Sequence, residues 1–324
     1  MRTMVTFDRS MTLLSKWIPA AILMVLLGAD LAATQELPEY GPARGTLVIV
    51  GGGDDKGTGI METFLNRAGG PRAKIVVVPT AGGNKLANGQ IKVYREADVV
   101  GRWKKRLGID HIQMLHTHDP KIADTEEFVK PLREATGVWF EGGRQWNIVD
   151  SYMNTLTYRE FHNVLERGGV IGGSSAGATI QGDYLVRGAI AGPQIMMTPE
   201  PNHERGFNFL RKSAIDQHIN TRNRWDDLIP VIKKYPDLLG IGLSEGTAIV
   251  VTGDRFDVMG KWKVAIHDNT RLYQPWEKPY YVLSAGDVYN MKTRKIEKLG
   301  NGTQAPPRTL PKLVPQPMQE SATP

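Results

Sequence analysis

A serine hydroxyl attacks a carbonyl only when the backbone lifts it clear of its neighbours and a base takes its proton. One pentapeptide of this 324-residue chain has the form for the first task. Gly173-Ser174-Ser175-Ala176-Gly177 follows the apolar run Val170-Ile171 and leads into Ala178-Thr179-Ile180. This is the pattern of a strand-turn-helix nucleophile elbow, in which small flanking residues let the chain pinch. Gly-x-Ser-x-Gly arises by chance in roughly one chain in ten of this length, so the setting carries the reading. Leu165 to Arg167 ends a helix and Gly168-Gly169 turns the chain into the strand. Ser175 is the candidate nucleophile. The competing reading is an ordinary turn in which Ser175 only caps a helix.

The serine needs a base within hydrogen-bond reach and the base an acidic partner that fixes its tautomer, and seven histidines are available. His218 ends the apparent strand around Ala214-Ile215, and Glu245 follows the run Leu239 to Leu243 and precedes Gly246. In a parallel sheet both would lie at the carboxyl edge beside Ser175. Taken singly, each also fits a loop histidine bonded to backbone and a surface glutamate at a turn. The absence of cysteine excludes disulfides, thiolate metal sites and a cysteine nucleophile. Gly51-Gly52-Gly53 is not a dinucleotide fingerprint, because Lys56 stands where the third glycine belongs. It reads as a tight turn at the carboxyl edge of a sheet, where sites gather. His116-Thr117-His118 has no third ligand at a recognisable spacing and reads as a pair of solvated loop histidines. No metal and no organic cofactor are expected.

Positioning these residues requires a sheet, and the chain supplies one. Short β-branched runs at 46–50, 75–78, 111–115, 137–140, 169–172 and 213–215 alternate with amphipathic stretches at 58–67 and within 91–106. This predicts an α/β fold, a three-layer sandwich with a mostly parallel sheet. After Leu239 the texture changes to hairpins at 247–251, 255–259 and 263–266, a C-terminal β extension. With 41% hydrophobic residues the chain can bury a full core, and one domain over residues 45–295 is expected. The net charge of +6 is scattered, with no aromatic-interleaved basic stripe, so nucleic acid is not an expected partner. Arg2, Arg9 and Lys16 precede an apolar run from Trp17 to Leu27, followed by Ala29, Ala32 and Ala33. Residues 1–33 therefore read as a signal peptide, with an uncleaved membrane anchor as the alternative. Export to the periplasm or exterior follows. Residues 301–324 carry Pro306, Pro307, Pro311, Pro315 and Pro317 and read as a disordered tail. A homodimer is the default assembly for a soluble oligomer.

Several segments together carry a family resemblance: 45–56, 75–80, Phe140-Glu141-Gly142-Gly143-Arg144-Gln145, 172–178, Asp216-Gln217-His218 with Arg222 and Arg224, and 240–247. In this order they resemble the serine peptidase family that includes cyanophycinase and aspartyl dipeptidase. The resemblance implies a class I glutamine-amidotransferase-like (flavodoxin-like) sandwich with serine in place of the usual cysteine. It implies Ser175 as nucleophile, His218 as base, Glu245 as orienting acid, and Gly143 and Ala176 N–H groups as oxyanion donors. Gln145, Asp216, Gln217, Arg222 and Arg224 match substrate-holding positions. Cyanophycin, a poly-aspartate bearing arginine on each β-carboxyl, or another acidic peptide is the implied substrate. An aspartyl or isoaspartyl dipeptidase and a catalytically silent acidic-ligand binder are the alternatives. Two positions depart from the family pattern: Arg144 stands where a small polar residue or Asp is usual, and Asp227 where an arginine is usual.

Overall fold

A computed structural model describes residues 36–86 and 88–300, with a compact unit that begins at Pro38. The expected signal segment (1–33) and tail (301–324) lie outside the described residues. Five strands, β1 (Thr46–Val50), β2 (Ile75–Val78), β3 (Ile112–Met114), β4 (Gly137–Phe140) and β5 (Val170–Ser174), pair in parallel in the order β1-β5-β4-β2-β3. Next come β6 (Gly182–Tyr184), β7 (Leu210–Gln217) and β8 (Leu239–Leu243), which form a second parallel set. The C-terminal hairpins then divide between the sheets. Strand β9 (Thr247–Thr252) extends the first sheet antiparallel to β1 and β10 (Arg255–Gly260) follows antiparallel to β9, while β11 (Lys263–His267) and β12 (Tyr281–Ser284) extend the second beside β8. Finally β13 (Val288–Asn290) and β14 (Lys295–Lys298) close the edge of the nine-stranded sheet.

Alternation along β1 shows how the layers form. Val48 and Val50 point to one face, where they pack with Ile60, Phe64 and Trp103 of the helices Ile60–Arg67 and Glu96–Leu107. Leu47 and Ile49 point to the other, toward Ile148 and Phe161 of helices Gln145–Tyr152 and Leu156–Glu166 and toward Ile215 and Ile241 of the second sheet. Helix Glu96–Leu107 carries Glu96 and Asp98 in its first turn and Lys104, Lys105 and Arg106 in its last, and it ends on left-handed Gly108 at φ 67°. Each charge opposes the helix dipole of its own end, and the glycine takes the left-handed cap without strain.

The mixed α/β fold is consistent with the expected flavodoxin-like sandwich and its C-terminal β extension. The sheet differs in one respect: parallel strands form two separate sets, each flanked by antiparallel ones, and β7 and β8 do not share a sheet with the elbow strand. Period-2 patterning marks a strand but is silent on which distant strand it pairs with. Element ends also differ. The helix expected within 91–106 spans Glu96–Leu107, and the elbow strand reaches Ser174 rather than Gly172.

Candidate active site

Ser175 occupies the turn between β5 and the helical turn Ala176–Thr179, at φ 59° and ψ −117°. A non-glycine residue is strained there by on the order of 1–3 kcal/mol, and its surroundings hold it. A Cβ on Gly173 would sit 2.2 Å from the Gly177 carbonyl oxygen, and one on Gly177 would sit 2.1 Å from the Phe140 carbonyl oxygen. Both motif glycines are thus fixed by backbone-to-backbone approach. The Ser175 N–H is tied to the Val50 carbonyl at 3.1 Å, which pins the elbow to the end of β1.

His218 follows β7 at φ 58°. Its Nε2 lies 2.9 Å from Ser175 Oγ and its Nδ1 lies 2.5 Å from Glu245 Oε1. Since the carboxylate can only accept, Nδ1 carries the proton and Nε2 is left to accept from the serine hydroxyl. Glu245, after β8, also accepts from Thr221 Oγ1 at 2.9 Å, and its own N–H donates to Asn220 Oδ1 at 2.9 Å. Burial opposes ionisation of Glu245, but the hydrogen bonds from His218 and Thr221 outweigh it and hold the carboxyl below its ordinary pKa. Burial is the largest influence on His218 and lowers its pKa; the Glu245 hydrogen bond raises it, and the charges of Arg222 and Arg224 lower it. The imidazole is therefore neutral at neutral pH and able to accept a proton.

Three groups from two sheets meet because Gly51, Gly52 and Gly53 make a junction. The Gly51 carbonyl receives the His218 N–H at 2.9 Å, the Gly51 N–H donates to the Thr247 carbonyl, and the Gly52 carbonyl receives the Gly246 N–H at 2.8 Å. A Cβ on Gly52, at φ 103°, would lie 2.2 Å from His218 Cε1, and one on Gly53 would lie 2.6 Å from Glu245 Oε2. Gly52→Ala should push the imidazole ring off Ser175. Since about 1 Å of misplacement can cost 100-fold in rate, kcat is expected to fall at least that far while the protein remains folded. Full activity in the purified Gly52→Ala protein would show that the ring is not held by this contact.

The Gly142-Gly143 turn also approaches the serine. A Cβ on Gly142 would lie 3.2 Å from Ser175 Cβ and 3.6 Å from its Oγ, and one on Gly143, at φ 148°, would strike the Ala81 carbonyl at 2.1 Å. Glu141 anchors this turn by accepting from Trp103 Nε1 at 2.7 Å and from Arg102 at 2.6 Å. Ala176 begins the helical turn, so its N–H has no intrahelical acceptor. Gly143 thus follows the residue that approaches Ser175, and Ala176 directly succeeds the serine.

The remaining residues divide. Arg222 is exposed, and its charge acts on both His218 and Glu245. Arg224 is half-buried, with Nη1 at 3.9 Å from Asp216. Gln217 is buried and its Oε1 has no hydrogen-bond partner. Gln145 is buried and donates through Nε2 to the Val186 carbonyl at 2.7 Å. Asp216 is fully buried, and the Arg187 fork takes both its oxygens, at 2.9 and 3.0 Å. A buried carboxylate needs such a partner, and Arg187, 29 residues earlier, carries no local signal of this role. Asp227 accepts from the same guanidinium. His116 and His118 are half-buried rather than solvated. Their rings lie 4.9 Å apart, His116 packs against Tyr94, and burial pushes the His116 pKa down to about 4. Thr221, Asn220 and Arg187 are supporting residues that sequence reasoning missed, while Gly52, Gly53 and Glu141 stand in segments it marks without showing what they hold.

A serine lifted on an elbow within a mixed α/β sandwich, with an imidazole and a carboxylate behind it, is the framework of a serine hydrolase, and comparison with known proteins makes this one a serine-type peptidase. The chain belongs to peptidase family S51, whose model matches residues 47–259. It is similar to the cyanophycinase of Synechococcus elongatus, at 30% identity over 277 residues that span 78% of this chain and 81% of that protein. A cyanophycinase from a Nostoc species is 29% identical over 277 residues, covering 77% and 87% respectively. Among solved structures, a peptidase from an acI-B1 Actinobacterium aligns with a TM-score of 0.57 at 23% identity, covering 76% of this chain and 97% of that one, and this supports the fold.

Proposed function

We propose that the protein hydrolyses cyanophycin or a related acidic aspartyl peptide through an acyl-enzyme formed on Ser175. The observation that carries this reading is the continuous contact from Ser175 Oγ to His218 Nε2 and from His218 Nδ1 to Glu245. Ser175 Oγ attacks the scissile carbonyl carbon as its proton passes to Nε2. The imidazolium formed is stabilised by Glu245, and the oxyanion by the N–H groups of Gly143 and Ala176. Collapse breaks the C–N bond while Nε2 returns its proton to the leaving amine, and water repeats the sequence in reverse to free the acid and Ser175. Export through the N-terminal segment and a homodimeric state belong to the same reading and rest on sequence alone. Among the described residues no helix is long and apolar enough to cross a membrane.

The test is a substrate panel of cyanophycin, aspartyl dipeptides and isoaspartyl dipeptides, run beside fluorophosphonate labelling. Turnover with an adduct on Ser175 is the expected result. Preference for dipeptides over the polymer would move the assignment to a dipeptidase. No turnover and no adduct would favour a binding protein. The pH profile offers a second check. Protonated His218 cannot accept the serine proton, and burial holds its pKa below the ordinary value of about 6.5. On acidification kcat/KM should therefore stay level through neutral pH and fall with a midpoint below 6.5. A midpoint above about 7 would mean that a different base is at work.

A further inference from the structure

The buried arginines among the described residues each face a carboxylate: Arg187 holds Asp216, and Arg271 and Arg294 both meet Asp268. Arg144 differs. It is half-buried, its Nη2 donates to the Ala189 carbonyl at 2.6 Å, and its Nε is buried without an acceptor. Among the described residues no carboxylate is paired with it, and burial lowers its pKa with no acidic neighbour acting in the other direction. Withdrawing a cation from water without a counter-charge is unfavourable, so such a residue is a donor group able to take an anionic acceptor.

Its place in the fold says which anion. Arg144 lies two residues beyond Gly142, the residue whose Cβ would stand 3.6 Å from Ser175 Oγ. Its bond to Ala189 spans from that turn to the segment after β6, whose Val186 carbonyl also receives Gln145. The exposed charge of Arg222 adds to the positive field at the dyad. We infer that Arg144 is a specificity residue that pairs with a carboxylate of the bound substrate. This rests on the peptidase reading above and narrows it to substrates with a free acidic group near the scissile bond. The planar fork has donors to spare for a carboxylate oxygen.

The test compares an aspartyl anilide with its asparaginyl counterpart, which has nearly the same shape and lacks only the charge. Wild type should prefer the aspartyl compound. In Arg144→Gln the ratio of kcat/KM for the two should fall on the order of tenfold to a hundredfold, chiefly through KM for the acidic substrate. Arg144→Lys, which keeps the charge and loses the fork, should give an intermediate ratio. A wild-type ratio in Arg144→Gln overturns the inference, and if that variant does not fold, a wild-type ratio in Arg144→Lys does so. Failure of the underlying reading is distinguishable: wild type would then cleave neither anilide and take no fluorophosphonate on Ser175, whereas equal cleavage of both removes only the role of Arg144.

Discussion

Ser175→Ala is expected to lower kcat by on the order of 10^5- to 10^6-fold, the scale on which loss of the nucleophile collapses a triad that works as a unit. The fold should survive. The left-handed backbone at Ser175 is imposed by Gly173, Gly177 and the Val50 carbonyl rather than by the hydroxyl. Removing Oγ takes one hydrogen bond from His218 Nε2, a change of about 1 kcal/mol. Far-ultraviolet circular dichroism should be unchanged and Tm should move by only a few degrees. Residual rate would come from the oxyanion donors and substrate positioning alone. Hydrolysis within tenfold of wild type, after contaminating activity is excluded by labelling, would remove Ser175 from the chemistry. Ser175→Gly makes a useful companion. It loses the nucleophile equally but relieves the φ of 59°, so it should be at least as stable as Ser175→Ala.

The elbow is legible in the sequence because its constraints fall on small residues of one pentapeptide, even where the contacting carbonyl, Phe140 or Val50, comes from another strand. Gly173 and Gly177 are required by contacts made within five residues or with the neighbouring strand end, and a pentapeptide records them. Strand positions are legible too: Leu239 to Leu243 and Gly137 to Phe140 are the observed β8 and β4. Partners are not. The antiparallel pairing of β1 with β9 joins residues some 200 apart, for example Val48 with Val250, and nothing within either strand names the other. This is why strand patterning points to one mostly parallel sheet where two mixed sheets stand.

The candidate site shows the same division. His218 and Glu245 can be proposed from their places after strands and from a family resemblance; the pairing of Gln217 with Leu243 sets them side by side, and the Gly51 to Gly53 junction between the sheets carries that pair to Ser175. A glycine run signals a turn and not what the turn must clear. The residue type and place of Asp216 suit a substrate contact. The bidentate grip of Arg187 on this carboxylate is a tertiary contact, and only the fold reveals it. The converse holds at Arg144, where the sequence shows a cation and the fold shows that no acid has come to meet it.

Glu245→Gln is expected to lower kcat by about 10^3- to 10^4-fold, and its pH profile distinguishes an orienting role from a merely structural one. The comparable acid-to-amide change in a more buried triad costs about 10^4-fold. Here the Glu245 side chain is 29% exposed, so water supplies part of the lost stabilisation and the smaller end of the range is in reach. Two consequences follow from the geometry. If the amide oxygen faces Nδ1–H and Thr221, the tautomer persists but no negative charge balances the imidazolium. If the amide nitrogen faces Nδ1, that atom must accept, the proton moves to Nε2, and the ring can no longer take the proton of Ser175. Either arrangement suppresses the attack. The Glu245 hydrogen bond raises the pKa of His218, so its loss should carry the acid limb of kcat/KM to lower pH while the plateau drops. A purely structural residue would lower the plateau through the amount of folded protein and leave the limb where it was. An unshifted limb together with a rate close to wild type would therefore take Glu245 out of the relay, and would leave His218 to be oriented by its own backbone, fixed at Gly51.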